Sequence, residues 1–335
     1  MASILVTGAS GFIGSFIVEE ALKRKLSVWA GIRSSSSKRY LHAPKIHFLE
    51  LDFTHPNELR AQLSGHKGTY SKFDYIVHCA GATKCKDKSE FDYVNYLQTK
   101  YFVDMLKELN MVPKQFIYIS TLSVFGPIRE KDYSPIHNDD TPAPNTSYGL
   151  SKLKAELYIQ SIPGFPYAIY RPTGVYGPRE KDYFLMAKSI QLHLDFSVGF
   201  RRQDLTFIYV KDLVQAIFLG IEKRVTRRSY FLSDGNVYQS RSFSHFIQKE
   251  LSISFVIHLK CPLIVLKVIS LLAESVAGLS GMSSTLNSDK YKIMKQRNWQ
   301  CDITPARKDL DFMPGYDLER GIKETIAWYK SKGWL

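Results

Sequence analysis

Two side chains that lie four residues apart in this chain could carry acid–base chemistry. Tyr148 and Lys152 begin and end the motif YGLSK, and this spacing places both side chains on one face of a helix. A free tyrosine, with a pKa of about 10, is a poor base at neutral pH. A nearby ammonium group favours the phenolate, so Tyr148 could take a proton from an alcohol or give one to a forming alkoxide.

The spacing alone is weak evidence, because Tyr-x-x-x-Lys occurs three times, starting at Tyr96, Tyr148 and Tyr291. Only the pair at Tyr148 begins a predicted helix after a hydroxyl-bearing segment, residues 120–126, that leaves the carboxyl end of a predicted strand. A hydroxyl group there could hydrogen-bond a substrate oxygen on which charge develops. The alternative is that these hydroxyl groups only satisfy the backbone of a turn.

Three glycines near the N-terminus indicate a second kind of chemistry. Gly8, Gly11 and Gly14 lie between an apolar run at 4–6 and a helical pattern at 12–22. In this setting the first glycine permits a tight turn, the second lets a pyrophosphate approach the backbone, and the third lets helix and strand pack closely. Free amides at the start of the helix favour a phosphate group. The sequence therefore predicts a dinucleotide site.

Strand-like and helical segments that could position these residues alternate through the first half of the chain. The predicted strands are 27–32, 46–50, 75–78, 115–120 and 168–170, and the clearest amphipathic helices are 91–109 and 147–162. This alternation predicts an α/β protein with a doubly wound parallel-sheet Rossmann fold. In such sheets ligands bind beyond the carboxyl ends of the strands.

The pattern loosens after Arg171, which indicates a second lobe. Short strands are predicted at 207–209 and 230–232, with a helix at 210–222 between them and a final helix around 318–330. We expect a nucleotide-binding domain of residues 1–171 plus 206–233. A smaller, mostly helical C-terminal substrate lobe would comprise 172–205 plus 234–335.

Composition limits the remaining function classes. The chain has 335 residues and a formal net charge of +13, which suits an anionic cofactor or substrate, an acidic membrane surface, or solubility alone. Four cysteines and nine histidines show no metal-binding spacing, so we expect no metal and a reducing, cytoplasmic setting. Because the first predicted strand begins close to the first residue, we expect no signal peptide. Nothing resembles a nucleic-acid-binding module.

The most apolar stretch, residues 261–278, is interrupted by Lys267 and Glu274. It is too short and too charged for a membrane-spanning helix. We expect a helix buried in the second lobe or lining a pocket, and contact with a membrane or a lipid-like substrate is the less favoured alternative. The predicted helix 91–109 is a candidate for the two-fold interface of a homodimer.

The motifs together resemble those of the extended short-chain dehydrogenase/reductase superfamily, in the branch also called the NAD-dependent epimerase/dehydratase family. They occur in order between residues 7 and 178 and comprise TGASGFIG, Leu51-Asp52, His78-Cys79-Ala80-Gly81, Val94-Asn95, residues 120–126, YGLSK and RPTGVYGP. Such an ordered set is specific for the superfamily.

The resemblance implies a catalytic set of Thr121, Tyr148 and Lys152, with Ser123 as a weaker alternative to Thr121. Lys152 would hold the nicotinamide ribose and favour the phenolate form of the tyrosine. Asn95 would steady the active-site helix or a proton-relay water. The resemblance also implies cofactor contacts, with Asp52 at the adenine amine, at the positions Gly8, Ser10, Gly11, Phe12, Ile13, Gly14, Arg33, Lys38, Asp52, Phe53, Cys79, Ala80, Gly81, Lys152, Pro172 and Val175.

The end of the second predicted strand bears on the choice of cofactor. An NAD site usually has an acidic residue there, whereas this chain has Arg33 followed by Ser34. With Lys38, these residues could bind the 2′-phosphate of NADP, since guanidinium and phosphate match geometrically. We therefore favour NADP(H) over NAD(H); the alternative is a solvated surface arginine.

Departures from the family pattern bear on the reaction. Many nucleotide-sugar epimerases have Asn at the position of Gly174 and Arg at that of Leu205, and sugar dehydratases have an Asp-Glu pair where Leu122 and Ser123 lie. In RPTGVYGP, the Arg33 cofactor pattern and the apolar stretch 261–278, the chain resembles dihydroflavonol reductases and hydroxysteroid dehydrogenases. We expect an NADP(H)-dependent oxidoreductase acting on a small molecule, with a nucleotide-sugar epimerase or a non-catalytic NADP-binding regulator as alternatives.

Overall fold

The computed structural model describes residues 1–280 and 287–335. The strands are β1 Ser3–Thr7, β2 Ser27–Ile32, β3 Ile46–Glu50, β4 Tyr75–His78, β5 Gln115–Ile119, β6 Tyr167–Pro172, β7 Gly174–Tyr176, β8 Leu194–Val198, β9 Asp204–Leu205, β10 Phe207–Tyr209, β11 Arg228–Leu232, β12 Tyr238–Gln239 and β13 Ile257–Cys261. The helices are α1 Phe12–Lys23, α2 Pro56–Tyr70, α3 Lys88–Phe91, α4 Gln98–Glu108, α5 Ser147–Ser161, α6 Asp182–Gln191, α7 Val210–Glu222, α8 Ser242–Leu251, α9 Leu263–Ser280, α10 Ser288–Lys295, α11 Thr304–Leu310 and α12 Leu318–Ser331.

Seven strands form the central sheet in the order β11-β6-β5-β4-β1-β2-β3. The neighbouring pairs from β6 to β3 are all parallel. From β1 the chain first adds β2 and β3 on one side, and it then returns to place β4 on the other side. The carboxyl ends of β1 and β4 therefore meet at the point where the strand order reverses. The predicted doubly wound Rossmann fold is confirmed.

Continuous apolar runs explain why these strands lie at the centre of the sheet. Every residue of β5 and β6 is buried, as expected for parallel strands that are covered by helices on both faces. Side chains from four neighbouring strands, including Leu5, Ile76, Phe116 and Ile169, belong to one apolar cluster. This cluster fixes the strand ends that carry the predicted site.

Most predicted elements have the expected bounds, but the helix predicted at 91–109 is divided. A wider π-helical turn, Asp92–Leu97, separates α3 from α4. The buried Asn95 lies in this turn. Since π-helical turns are often found at functional sites, this interruption falls where the sequence places a candidate site residue.

Residues group into two compact units. The first contains Met1–Thr121, Leu150–Arg171 and Val214–Tyr230, and the second contains Leu122–Gly149, Pro172–Leu213 and Phe231–Leu335. The boundary after Gly149 falls inside α5, so Tyr148 and Lys152 share a helix but belong to different units. The domain limits expected from the sequence stay a prediction.

The expected burial of the apolar stretch 261–278 is wrong for much of α9. Leu266 and Ser270 are buried, but six large aliphatic side chains are exposed: Ile264, Val265, Val268, Ile269, Leu271 and Leu272. Among the described residues, no helix is both long enough and apolar enough to cross a bilayer.

Candidate active site

The glycine turn between β1 and α1 has the close contacts that its sequence predicts. Gly8 has a φ of +66°, and a Cβ atom there would lie 2.8 Å from the backbone nitrogen of Ala80. A Cβ atom on Gly14 would lie 2.3 Å from the carbonyl oxygen of Gly8. Both positions therefore require glycine. No acidic side chain lies in the first turn of α1, so its N-terminal amides remain suited to a phosphate group.

Asn95 fixes the loop that follows β4. Its Oδ1 accepts a hydrogen bond of 2.8 Å from the backbone nitrogen of Ala82, and its Nδ2 donates to the Ala82 oxygen and to Ser151 Oγ, both at 3.0 Å. The same loop is held to β1, because the Ala80 nitrogen donates to Thr7 Oγ1 at 3.2 Å. These bonds link α5 to the strand ends and fit the steadying role predicted for Asn95.

Lys152 is a buried cation beside the end of β5. Lys152 is only 5% exposed. Its Nζ donates a hydrogen bond to the Ile119 carbonyl oxygen at 2.6 Å and lies 4.0 Å from the centre of the Tyr118 ring. Burial lowers the pKa of this ammonium group to about 7, although the carboxylate of Glu156 acts in the opposite direction. Lys152 can therefore change its protonation near neutral pH.

An ion pair that the sequence analysis missed lies one turn further along α5. Glu156 is completely buried, and Arg171 Nη2 donates to its Oε2 at 2.6 Å. Because this carboxylate raises the pKa of Lys152, the pair influences the predicted catalytic lysine. The available signal was a glutamate four residues after Lys152, on the same helix face.

Tyr148 lies on the first turn of α5. Residues of the second unit contact this turn. A Cβ atom on Gly149 would lie 2.5 Å from the Ser123 carbonyl oxygen, so the turn packs closely on the segment Leu122–Val124. Thr146 Oγ1 accepts from the Gly149 nitrogen at 3.0 Å, and Asp289 Oδ2 accepts from the Ser147 nitrogen at 2.6 Å. These contacts position the turn that carries Tyr148.

Thr121, the predicted partner of Tyr148, lies two residues beyond β5 in the first unit and is partly exposed. Ser123, the weaker alternative, is also partly exposed and lies in the second unit. Both hydroxyl groups thus follow the carboxyl end of β5, as the sequence predicts. The choice between them stays a prediction.

The cations expected near the adenine end lie at the surface. Arg33 is exposed directly after β2, and its backbone nitrogen donates to Ser36 Oγ at 3.0 Å. Lys38 Nζ lies 4.3 Å from the centre of the Phe48 ring. An exposed guanidinium group at the end of β2 can donate hydrogen bonds to a phosphate group.

Asp52 and Phe53, which follow β3, both have local partners. The pKa of the Asp52 carboxyl is lowered to about 2, mainly by its hydrogen bond from Thr54 and then by that from His55. Phe53 is buried edge-on against Phe102, with 5.3 Å between ring centres. Ligand atoms of Asp52, His55 and Glu58 lie within 4.8 Å of one another, although a surface cluster of this kind is no evidence for a metal ion.

Position 174, at the start of β7, is crowded by aromatic rings. A Cβ atom on Gly174 would lie 2.7 Å from Tyr183 Oη and 3.0 Å from Phe207 Cδ1. The Tyr183 ring stacks on Phe243, with ring centres 4.4 Å apart, and Leu205 packs against the same cluster. A larger side chain at position 174 would therefore require Tyr183 or Phe207 to shift.

The remaining predicted contacts lie on or next to the strands. Gly11 is exposed at the start of α1, whereas Ser10, Phe12 and Ile13 are partly buried. After β4, Cys79 and Ala80 are partly buried and Gly81 is exposed; Pro172 ends β6, and Val175 pairs with Ile208 of β10.

The NAD dependent epimerase/dehydratase family model matches residues 4–233, and the chain belongs to this family of NAD(P)-dependent enzymes. It is 27% identical to an uncharacterised UDP-glucose epimerase of Bacillus subtilis, over 98% of both chains. It is 22% identical to the decarboxylating sterol-4-alpha-carboxylate 3-dehydrogenase of Saccharomyces cerevisiae, over 97% of both. The solved UDP-glucose 4-epimerase of Thermotoga maritima with UDP-glucose covers 98% of this chain and 99% of its own, with a TM-score of 0.78 and 19% identity.

The family assignment confirms the predicted superfamily and the predicted enzyme class. The similarity to solved structures shows the fold. The closer resemblance to dihydroflavonol reductases and hydroxysteroid dehydrogenases stays a prediction, as do the roles of the individual site residues.

Proposed function

We propose that this enzyme exchanges a hydride between a nicotinamide cofactor and a hydroxyl-bearing carbon of a small substrate, with Tyr148 as the acid–base group. The observation that carries the proposal is the buried Lys152 ammonium, which is held by the Ile119 carbonyl one helical turn after Tyr148. Burial of a cation costs free energy unless partners compensate. Its position on α5 is explained if it stabilises negative charge on the tyrosine.

In the proposed reaction, Tyr148 takes the proton of the substrate hydroxyl group as the carbon loses its hydride. Lys152 stabilises the phenolate, and Thr121 donates a hydrogen bond that positions the substrate oxygen. Asn95 keeps α5 and the loop after β4 in place through Ser151 and Ala82. When bound, the nicotinamide supplies the hydride acceptor.

The substrate class best supported by the comparisons is a sugar linked to a nucleotide, and the net reaction is epimerisation. The Bacillus subtilis relative is named as a UDP-glucose epimerase and aligns over nearly the whole of both chains. An epimerase would return the hydride to the opposite face of the same carbon, so Tyr148 would give back the proton that it took. The cofactor would then end each cycle in its starting state.

A second candidate is a net reductase or dehydrogenase for a substrate without a nucleotide diphosphate. The crowding of Gly174 by Tyr183 and Phe207 favours it, since asparagine, which many nucleotide-sugar epimerases have at this position, would require these rings to shift. The sterol dehydrogenase of Saccharomyces cerevisiae, a relative of similar length, adds support.

For the cofactor we propose NADP(H), with Arg33 binding the 2′-phosphate. The support is an exposed guanidinium at the end of β2 where an acidic residue would favour NAD. An Arg33→Asp variant should lose affinity for NADP+ far more than for NAD+, as measured by calorimetric titration of both. Equal losses for the two cofactors would contradict the role of Arg33.

The deciding experiment measures products and binding together. Purified enzyme is incubated with UDP-glucose or UDP-galactose, the sugars are identified by NMR, and the affinity for UDP is measured by calorimetry. Epimerisation should give the other sugar without net change in nicotinamide absorbance. If UDP does not bind and only carbonyl compounds consume NADPH, the second candidate replaces the first. If neither reaction occurs with intact cofactor binding, the proposal of an active oxidoreductase is wrong.

A further inference from the structure

The two-stranded sheet of β8 and β13 turns apolar side chains outward. The strands are parallel, with Ile257 opposite Leu194 and Leu259 opposite Phe196, so these residues share one face. Phe196, Ile257 and Leu259 are 59%, 53% and 42% exposed. A sheet with one solvated face normally shows the reverse pattern.

On the opposite face of this sheet, the polar side chain of Asp195 turns towards the protein, whereas His258 and Lys260 of β13 are exposed. Asp195, next to Phe196 in β8, is only 4% exposed. Its Oδ2 accepts a hydrogen bond from Ser244 Oγ of α8 at 3.0 Å and lies 2.9 Å from His258 Nδ1. The polar side of the sheet is thus fixed by specific bonds, which assigns the apolar side to the surface.

Helix α9 adds further exposed aliphatic side chains directly after β13. It begins two residues after β13, and the Gly199 nitrogen, next to the end of β8, donates to the Cys261 carbonyl at 2.9 Å. Leu263 Cγ lies 3.5 Å from the position of a Cβ atom on Gly199. On the helix, Ile264, Val268 and Leu272 follow each other at intervals of four residues and are 79%, 51% and 61% exposed. We call Phe196, Ile257, Leu259, Ile264, Val268 and Leu272 the apolar face.

The charges beside the apolar face are positive. In residues 192–200 and 255–280 the acidic residues are the buried Asp195 and the partly buried Glu274, whose Oε2 accepts a hydrogen bond from the Ser288 nitrogen, whereas Lys260 and Lys267 are exposed and Arg201 follows β8. Single exposed apolar residues are ordinary, but contiguous ones mark interaction sites. A second copy of the chain would bring these cations against themselves, and like charges repel.

We propose that the apolar face docks on the surface of an anionic phospholipid bilayer. Aliphatic side chains beside lysines and arginines are the features of segments that lie in the membrane interface, and each cation near an anionic surface strengthens binding. The net charge of +13 acts in the same direction. This inference does not depend on the proposed reaction.

The test is co-sedimentation of the full chain with vesicles of phosphatidylcholine plus phosphatidylglycerol, and with phosphatidylcholine alone. The variant is Ile264→Gln/Val268→Gln/Leu272→Gln, which removes apolar surface without changing charge and keeps good helix formers. The matched control is Leu157→Gln/Met313→Gln, at two exposed apolar positions elsewhere. Circular dichroism checks that all the proteins are folded.

We expect wild-type protein and the control to bind the anionic vesicles alike, and the triple variant to bind at least tenfold more weakly. Lys267→Gln, at an exposed cation on α9 beside Val268, should weaken binding by about fivefold. No binding by the wild-type protein, or equal loss in the control, would overturn the proposal. So would a concentration-dependent dimer, detected by analytical ultracentrifugation, that the triple variant abolishes.

Discussion

Helices α5 and α9 depart from the usual distribution of side chains in opposite directions. Helix α5 buries the charged Lys152 and Glu156, and α9 exposes large aliphatic side chains such as Ile264 and Leu272. Burying a charge costs free energy, and exposing large aliphatic side chains forgoes the free energy gained by burying them. Since such departures concentrate at functional sites, they support the chemistry proposed for α5 and the surface recognition proposed for α9.

The strongest test of α5 is the removal of one hydroxyl group. Tyr148→Phe should lower kcat by about 10²–10⁴-fold, because general acid–base catalysis contributes on this scale, while calorimetry shows unchanged cofactor binding. Tyr291→Phe, in another Tyr-x-x-x-Lys segment, is the matched control and should retain full activity. Undiminished turnover of Tyr148→Phe would remove the catalytic interpretation of α5.

The buried pair below Lys152 should give the largest effect on folding. Arg171→Met leaves the Glu156 carboxylate buried without its partner, so the free energy of unfolding should fall by about 3–5 kcal/mol, as measured by urea denaturation. Arg39→Met, at an exposed arginine, should change it by less than about 0.5 kcal/mol. Similar small changes in both would mean that the pair contributes little.

Replacement of Lys152 should lower activity and raise stability at the same time. Lys152→Met should lose activity but raise the free energy of unfolding at pH 6 by about 2 kcal/mol, since a buried cation is replaced by an apolar side chain. The pKa of Lys152 in the folded chain is about 7, below the ordinary 10.5. The cost of burying the cation is therefore complete below about pH 7 and disappears as the pH rises towards 10.5.

Urea denaturation at several pH values checks this sign. The advantage of Lys152→Met over the wild type should shrink from pH 6 to pH 10. A constant advantage would show that the titration of Lys152 does not contribute to stability.

The smallest change in the free energy of unfolding is expected for a substitution at an exposed position of α9. Leu272→Gln should change the free energy of unfolding by less than about 0.5 kcal/mol, because the side chain is 61% exposed. Leu266→Ala, at a buried position on the same helix, should cost about 2–5 kcal/mol. If Leu272→Gln were as costly as Leu266→Ala in thermal or urea unfolding, the apolar face would be part of the core.

Local patterns were enough to predict the elements that carry the site. The apolar run before Gly8 and the helical periodicity at 210–222 correspond to β1 and α7, because each depends on neighbours along the chain. The requirement for glycine at positions 8 and 14 was likewise predictable from the spacing. The parallel, doubly wound arrangement of the strands, although not their order, was predicted from their alternation with helices.

Features that depend on distant contacts could not be predicted. The sequence does not show that Arg171 meets Glu156, because the bond joins β6 to α5. It also does not show which side of β8 faces outward, since this depends on its pairing with β13, about 60 residues later. Helix α9 looked like core because its composition is apolar, and composition does not reveal whether a neighbouring element covers a helix.

The packing around Gly174 also constrains how substrate specificity could evolve. Any larger residue at this position meets Tyr183 and Phe207, so a substitution there requires these rings to shift. A lineage that recruited an amide side chain at position 174 would need a compensating change in the rings around it. The positions are thus coupled by packing, and the route to a new specificity at position 174 depends on the aromatic residues already present.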